Sequence, residues 1–344
     1  MARTQRKALL TRLEQARSSK IVSYVGSTRN GASYDMAQLD IRQIYDHIST
    51  IGHVNKIDLF LSSFGGDLTF AWRLVQLIRQ FSVEFNVIVP MHAFSAATLT
   101  AFGADSIVML PCASLGPTDP QSNSFFNDKP INVEDISAFI NLVKENFDIK
   151  SESGLVEALK ILSQSDTRIH PLALGAADRG SKLARKYAKE LLGTHKKFKI
   201  KKDRIDKIVK TFSSELFQHN HPINRAEVKQ YGLKIIKESA TTEKLIWDLY
   251  LDYESEMKMS ESYDPIVEFK ATNPTLPVTL VNALSPTQVT LPPVKYAIIE
   301  SLSMTDTQIK ELDVTGLKFL DGNGNLNEKY SWIVKSFKWE RDVQ

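Results

Sequence analysis

The chain has 344 residues, of which 42% are hydrophobic and 24% charged, a composition typical of a folded globular protein rather than a disordered one. Its 43 basic and 40 acidic residues give a formal charge of +3, which is too even a balance to indicate a nucleic-acid or membrane surface. The single cysteine, Cys112, excludes an intrachain disulfide and a cysteine-based metal site, and fits a reducing compartment.

The first residues, up to Lys20, form an amphipathic segment. They carry no apolar core of the roughly 7 to 15 residues that a secretory signal needs. No later stretch reaches the ~18 apolar residues that a membrane span requires. We therefore expect a cytoplasmic protein without a membrane span.

Between residues 20 and 111, short β-rich runs alternate with longer helical ones. The β-rich runs are KIVSYVG, IDLFLS, FNVIVP and SIVMLP, and the helical ones are MAQLDIRQIYDHI, LTFAWRLVQLIRQF and SAATLTAFGA. Strands separated by helices of this length predict right-handed crossovers and a largely parallel sheet. The expected fold class is therefore α/β.

The rest of the chain changes character twice. Residues 134–218 are predicted to be mostly helical, followed by a short helix that ends at Gly232 and a last helix over about 242–257. Beyond about residue 262, β-branched runs between prolines and the turn sequence DGNGN predict β structure. We divide the chain into a domain at 1–240, a connecting helix at 241–261 and a small β-rich domain or appendage at 262–344.

Two adjacent glycines, Gly65 and Gly66, separate the predicted strand IDLFLS from the next helix. Taken alone, a glycine pair at a strand end indicates a tight turn. A dinucleotide fingerprint is excluded because the spaced third glycine is missing, and no phosphate loop follows. We therefore expect no cofactor.

Ser95 stands one βα unit later, at the start of a helix of small residues. A hydroxyl at that position lies close to backbone N–H groups and to the positive end of the helix dipole, which suits a developing oxyanion. The same position suits a serine that only caps the helix. Ser95 alone does not separate a nucleophile from a cap.

Taken together, four motifs resemble those of the Clp-type and signal-peptide-peptidase-A-type serine peptidases, and most closely the branch called serine dehydrogenase proteinases. The motifs are Ser63-Phe64-Gly65-Gly66, Ser95-Ala96, Gly103-Ala104-Asp105 and Leu115-Gly116-Pro117-Thr118-Asp119-Pro120-Gln121. The resemblance covers roughly residues 5–236. It implies a Clp/crotonase-like spiral of ββα units with a helical C-terminal part.

The resemblance implies that Ser95 is the nucleophile and that the N–H groups of Gly66 and Ala96 form the oxyanion hole. Losing one such donor typically costs about 3 to 4 kcal/mol of transition-state stabilisation. A side chain at Gly66 would obstruct the substrate backbone. Phe64 departs from the family, which more often has proline there.

The residues beside the glycine pair are expected to bind the substrate. Gly65, Asp67 and Leu68 are the candidate contacts. We expect Asp67 to Thr69 to be extended and to pair with a peptide as an added strand.

The general base is the weakest part of the resemblance, because GPTDPQ contains no histidine where Clp-type peptidases have one. A lysine serves instead in signal-peptide peptidase A, and Lys182 is favoured because its helix resembles the corresponding one. His219 is the second candidate, as base or as orienting residue. The alternatives are that Lys182 is solvated, as lysines on amphipathic helices usually are, and that His219 caps a helix end. His92 has no assigned role.

The leading hypothesis is an ATP-independent serine endopeptidase that cleaves peptides or unfolded protein segments through an acyl-enzyme on Ser95. The alternative is a non-catalytic peptide-binding or assembly module that has lost its base. An acyl-CoA enzyme is a third reading, but it lacks an evident glutamate pair or a basic pocket for CoA. The resemblance also implies a homo-oligomer, with no nucleic acid and no metal.

Overall fold

The computed structural model describes residues 3–118, 121–122, 131–132, 139, 142–145, 151–164, 171–196, 199–215, 221–273, 275–280 and 285–343. The helices are α1 Arg3–Arg17, α2 Ile41–Ile51, α3 Leu68–Phe81, α4 Ala96–Phe102, α5 Glu152–Gln164, α6 Pro171–Leu192, α7 Lys202–Lys210, α8 Arg225–Tyr231, α9 Ala240–Glu256 and α10 Pro265–Thr272. The strands are β1 Lys20–Gly26, β2 Thr28–Arg29, β3 Ala32–Ser33, β4 Val54–Ser62, β5 Ser82–Val89, β6 His92–Ala93, β7 Ser106–Met109, β8 Ser114–Leu115, β9 Gln121–Ser122, β10 Ile131–Asn132, β11 Ile223–Asn224, β12 Ile235–Ile236, β13 Val278–Leu280, β14 Thr287–Thr290, β15 Val294–Glu300, β16 Met304–Leu320 and β17 Leu326–Val343.

The predicted parallel sheet is confirmed. Strands β12, β7, β5, β4 and β1 lie side by side in that order and all pair in parallel. In this register Val22 is opposite Leu59, which in turn is opposite Val87. All three side chains are fully buried, as expected where helical crossovers cover both faces of a parallel sheet. The protein is thus a mixed α/β fold, and its finer description as a spiral of ββα units stays a prediction.

The predicted helices of the second half are also present where the structure describes the chain. Helix α8 ends at Gly232, which has a φ of 110° in the left-handed region, as its position in the sequence predicts. Helix α9 spans Ala240–Glu256, close to the predicted 242–257. Among the described residues, no helix combines the length and the apolar character that crossing a membrane requires.

The C-terminal region is β-rich as predicted, and its strands continue the central sheet. Strand β15 pairs antiparallel with β1 and places Ile299 opposite Tyr24. The physical reason is the free edge of β1, whose backbone groups would otherwise be left without partners. Ile298 and Ile299 join the main core, whereas Phe269 and Val314 belong to a second, smaller core. The division of the chain at residues 240 and 262 stays a prediction.

Candidate active site

Ser95 has a backbone conformation that is rare for a residue with a side chain. Its φ is 50° and its ψ is −114°, and helix α4 begins at the next residue. Conformations of this kind cost of order 1–3 kcal/mol and persist where the surrounding structure enforces them. The side chain of Ser95 makes no capping hydrogen bond with the helix. The geometry therefore does not support the reading of Ser95 as a simple helix cap.

Gly65 lies directly against Ser95, and its lack of a side chain permits that approach. Gly65 has a φ of 109°, and a Cβ placed there would lie 2.8 Å from the Ser95 Cβ and 2.6 Å from the Phe94 carbonyl oxygen. Gly66 has a φ of 142°, and its added Cβ would lie 2.5 Å from the Met36 nitrogen. Both positions therefore require glycine, for the conformation and for the space.

Backbone hydrogen bonds join the two turns that carry Gly65 and Ser95. The N–H of Ser63 donates to the His92 carbonyl at 3.0 Å, and the N–H of Phe94 donates to the Ser63 carbonyl at 3.1 Å. Because Ser63 directly follows strand β4 and His92 begins strand β6, these bonds fix the glycine turn beside the serine turn. The relative position of Gly65 and Ser95 is thus set by the sheet.

A third segment holds the glycine turn from the opposite side. The N–H of Met36 donates to the Gly65 carbonyl at 2.7 Å, and the N–H of Asp67 donates to the Met36 carbonyl at 2.8 Å. These bonds use the groups on either side of Gly66 and leave its own N–H unengaged. The Met36 segment therefore orients the Gly66 amide without consuming it.

Two amide groups next to Ser95 are available as donors. Neither the Gly66 N–H nor the Ala96 N–H donates a hydrogen bond to a described residue, and the Ser95 hydroxyl makes none with them either. Gly66 is exposed and Ser95 is half-buried. A serine whose turn packs against Gly65, with amides free to donate at the next residue of each turn, is an arrangement that can support acyl transfer, with a nucleophile near donors for the developing oxyanion.

Asp40, which the sequence analysis missed, supports the Met36 segment. Its buried carboxylate accepts hydrogen bonds from the hydroxyls of Tyr24 and Tyr34, both at 2.7 Å, and from the Ala37 N–H at 2.9 Å. Burial raises the pKa of Asp40, and these hydrogen bonds oppose that rise. An aspartate before a helix is a recognisable cap signal, but its tyrosine partners are not visible in the sequence pattern.

The predicted extended conformation is found at Asp67, with a φ of −67° and a ψ of 119°, but it is wrong for Leu68 and Thr69. Helix α3 begins at Leu68, and the Asp67 carboxylate caps it by accepting from the Thr69 N–H at 2.6 Å and the Phe70 N–H at 3.0 Å. The cap satisfies helix-end donors that would otherwise lack partners. An added peptide strand cannot use Leu68 or Thr69 in this conformation, and contact of Gly65, Asp67 or Leu68 with substrate stays a prediction.

Lys182 does not have the environment that a lysine base needs. Its side chain is 73% exposed, and its Nζ lies 2.7 Å from the Asp178 carboxylate, one helical turn earlier on α6. A lysine base requires burial or a neighbouring cation to lower its pKa. Its position therefore agrees better with a solvated surface lysine than with a general base. His219, the other candidate base, lies outside the described residues.

His92 is near the site but is a weak proton acceptor. Burial lowers the pKa of His92 to about 4, and its ring lies 4.9 Å from that of Phe64 and 5.9 Å from that of Phe94. A general base works best with a pKa near the working pH. The Nε2 atom is buried without a hydrogen-bond partner among the described residues. Phe64, which replaces the more common proline, thus packs against a neutral imidazole.

Comparison with protein families finds a match for the first part of the chain. Residues 2–135 match the family described as ClpP-like SDH-type serine proteinases. This confirms the resemblance predicted from the glycine and serine motifs, all of which lie in the matched residues. The match supports a serine peptidase, which is a hydrolase.

Two uncharacterized proteins of Methanocaldococcus jannaschii are similar in sequence. One is 35% identical over 86 residues, which cover 25% of this chain and 30% of the relative. The other is 24% identical over 179 residues, which cover 52% of this chain and 51% of the relative. The matches thus span about a third and about half of the length of these relatives.

Two solved structures illustrate the similarity in three dimensions. An alanine variant of the 1510-N membrane-bound stomatin-specific protease aligns with 65% of this chain and 81% of its own, at 16% identity and a TM-score of 0.39. The ClpP protease catalytic domain from Plasmodium falciparum aligns with 67% of this chain and 91% of its own, at 12% identity and a TM-score of 0.36.

Proposed function

We propose that the protein is an ATP-independent serine endopeptidase that cleaves peptides or unfolded protein segments through an acyl-enzyme on Ser95. The observation that carries this proposal is the strained Ser95 backbone, packed against Gly65 and flanked by the unused amides of Gly66 and Ala96. The family match over residues 2–135 supports the same chemistry.

In the proposed reaction the Ser95 hydroxyl attacks the scissile carbonyl carbon while a base takes its proton. The carbonyl oxygen becomes an oxyanion and accepts hydrogen bonds from the Gly66 and Ala96 N–H groups. Collapse of this tetrahedral intermediate breaks the C–N bond, and the protonated base returns its proton to the leaving amine. Water then attacks the ester by the reverse proton path and restores the serine.

The rigid scaffold explains how the two amides contribute. Donors that are already oriented before the reaction need no reorganisation when the negative charge develops. The Met36 hydrogen bonds fix Gly66, and the start of α4 fixes Ala96. Lys182 and His219 stay the proposed candidates for the base, and the exposure of Lys182 gives His219 the greater weight.

The test is labelling with a fluorophosphonate probe, which reacts with an activated serine. The wild-type protein should be labelled and should cleave an unstructured peptide, and Ser95→Ala should lose both activities by about 10⁴-fold or more. Ser18→Ala is the matched control, because Ser18 also has a positive φ, 48°, but is not at the glycine turn. Undiminished labelling of Ser95→Ala would contradict the proposal.

A non-catalytic peptide-binding module is the second candidate, and one observation favours it. Among the described residues, no lysine or histidine nitrogen forms a hydrogen bond with the Ser95 hydroxyl. Incubation of wild-type protein with a fluorescent unstructured peptide distinguishes the two functions. Binding measured by anisotropy with no product in the mass spectrum supports the module, whereas an acyl-enzyme or cleaved peptide supports the peptidase.

A further inference from the structure

Strand β17 is an unusually long strand with one free edge. It contains 18 residues and pairs antiparallel with β16 along its length, and it pairs with no other described strand. At about 3.4 Å per residue such a strand is about 60 Å long. Natural proteins normally shorten, interrupt or cover free edges, because unpaired backbone groups recruit another strand.

Besides its charged residues, strand β17 exposes large apolar side chains. Six large apolar residues of the strand are between 49% and 65% exposed. They are Leu326, Trp332, Ile333, Val334, Phe337 and Val343. Exposed apolar residues concentrated along one free edge are typical of a surface that is covered in the assembled protein.

The sequence of β17 is complementary to itself in the antiparallel direction. When two copies are aligned with their ends flush, Leu326 is opposite Val343, Trp332 is opposite Phe337, and Lys329 is opposite Glu340. Each contact occurs twice, because an antiparallel pair of identical strands has a two-fold axis. The register that pairs every residue of the strand is therefore also a register that matches rings with rings and opposite charges with each other.

A β-bulge makes this register possible. Opposed residues must lie on the same face of a sheet, but in a regular strand Trp332 and Phe337 would lie on opposite faces, because five positions separate them. The pairing with β16 shifts by one residue at Lys335. As a result Trp332 is opposite Val314 and Phe337 is opposite Lys310, which are four positions apart and share a face.

The same bulge aligns the charged pair on the other face. Lys329 is opposite Leu317 and Glu340 is opposite Thr307 in β16, so Lys329 and Glu340 also share a face. Within the chain the Glu340 carboxylate lies 3.0 Å from the Lys338 ammonium, and both groups are exposed. A second copy would therefore add a lysine to a carboxylate that is already accessible.

We propose that β17 pairs antiparallel with β17 of a second copy of this chain, with the two-fold axis between Val334 and Lys335. The pairing joins the two central sheets into one and covers the apolar residues at the edge. It lies outside residues 2–135, which match the serine proteinase family, and it does not depend on the chemistry of Ser95.

Charge reversal tests the register directly. Light scattering of the full chain at micromolar concentration should give a mass twice the value obtained when β17 pairing is lost, the chain itself being 38.8 kDa. Lys329→Glu and Glu340→Lys should each raise the dissociation constant at least about tenfold, because two ion pairs become two like-charge pairs. The double variant restores both pairs and should recover the wild-type mass. Lys229→Glu, an exposed residue of α8, is the control and should change nothing.

Cross-linking provides a second test that does not depend on affinity. Ile333 and Ser336 are opposite each other across the axis, where opposed Cβ atoms are about 4.5–5.5 Å apart, close to disulfide spacing. In a Cys112→Ser background, Ile333→Cys with Ser336→Cys should give a covalent dimer on a non-reducing gel, whereas each single variant should not. Within one chain the bulge leaves these two positions opposite Asp313 and Glu311, so they are about 7 Å apart, at the upper limit for a disulfide. A bridge within one chain would in any case not give a covalent dimer on the gel.

Three results would overturn the proposal. They are a wild-type chain that is monomeric at micromolar concentration, a mass that neither charge reversal changes, and a double cysteine variant that forms no covalent dimer under oxidising conditions. Cross-linking by the single variants as efficiently as by the pair would show a different register and would also overturn it.

Discussion

The first and last parts of the central sheet use β structure in opposite ways. In the first part, strands β1, β4, β5 and β7 are parallel, have at most nine residues and are largely buried under helices. From β15 to β17 they are antiparallel, and the last two have 17 and 18 residues with β17 largely exposed. The parallel part holds the turns of Gly65 and Ser95 against neighbouring elements, whereas the antiparallel part leaves a backbone edge open to solvent.

The two parts of the sheet are therefore suited to different roles, one to holding a strained residue and the other to association with another chain. A strained residue such as Ser95 can be maintained only where neighbouring elements leave it no alternative, and the packed parallel part meets that condition. An exposed edge cannot hold strain in the same way, but it offers hydrogen-bonding groups to another chain. We therefore expect substitutions in the first part to affect stability and chemistry, and those in the last part to affect association.

The largest effect is expected at the buried ion pair of the parallel part. Arg79 contacts Asp105 at 2.6 Å, and the two side chains are only 6% and 2% exposed. Arg79→Met should lower the free energy of unfolding by about 3–5 kcal/mol, because a buried carboxylate loses its cation. Arg341→Met is the matched change in β17, where Arg341 is 34% exposed and the buried Asp306 keeps His47 Nε2 at 3.4 Å as a second partner, and we expect less than about 2 kcal/mol. Urea denaturation measures both, and equal losses would contradict the comparison.

The next largest effect is expected at the glycine turn. Gly66→Ala should lower the free energy of unfolding by about 3 kcal/mol, because the new Cβ meets the Met36 backbone and φ is positive there. Peptide cleavage should fall by at least about 100-fold through loss of the oxyanion-hole geometry. Gly322→Ala, in the turn between β16 and β17 with open space around it, should change stability by less than about 0.5 kcal/mol. Thermal unfolding and peptide assays distinguish these outcomes.

A pH dependence is expected from His92. Burial lowers the pKa of its imidazole from 6.5 to about 4 in the folded protein. A lowered folded pKa means that the contribution of His92 is fully present above pH 6.5 and is lost as the pH falls towards 4. We expect a loss of about 3 kcal/mol over that interval, and His92→Gln should remove it. Urea midpoints measured at several pH values test this, and an identical pH profile in the variant would contradict the assignment.

The smallest expected effect is a gain in stability, not a loss. Ser95→Gly should be about 1 kcal/mol more stable than Ser95→Ala, because glycine relieves the positive φ that alanine retains. Both variants should lack labelling by the fluorophosphonate probe. Equal unfolding temperatures for the two variants would show that the Ser95 conformation stores no strain.

Much of the parallel part could be predicted from its sequence, because alternating strand and helix patterns are local signals. The glycine pair at a strand end and Ser95 at a helix start could be predicted for the same reason. The support from Asp40 could not be predicted, since its partner Tyr24 lies 16 residues earlier, in strand β1. The extended conformation predicted for Leu68 is wrong. Asp67 is a residue type that caps helices, so the local sequence favours a helix start over an extended segment that binds a peptide.

The antiparallel part was predicted less completely. Its β content follows from alternating residues and the DGNGN turn, but the pairing of β15 with β1 joins positions that are far apart in the chain. Long-range pairing leaves no local pattern in the sequence. The bulge at Lys335 was also invisible, because a bulge is defined by the register of the neighbouring strand.

The position of β1 has a consequence for the order of folding. The edge of β1 that meets β15 is completed only by residues 294–300, although the glycine and serine turns are both synthesised by residue 96. During synthesis the nascent sheet therefore carries an open edge until most of the chain has left the ribosome. Such edges promote aggregation of partly folded chains. A chain truncated before β15 should consequently be recovered largely in the insoluble fraction, even though every residue of the candidate site is present in it.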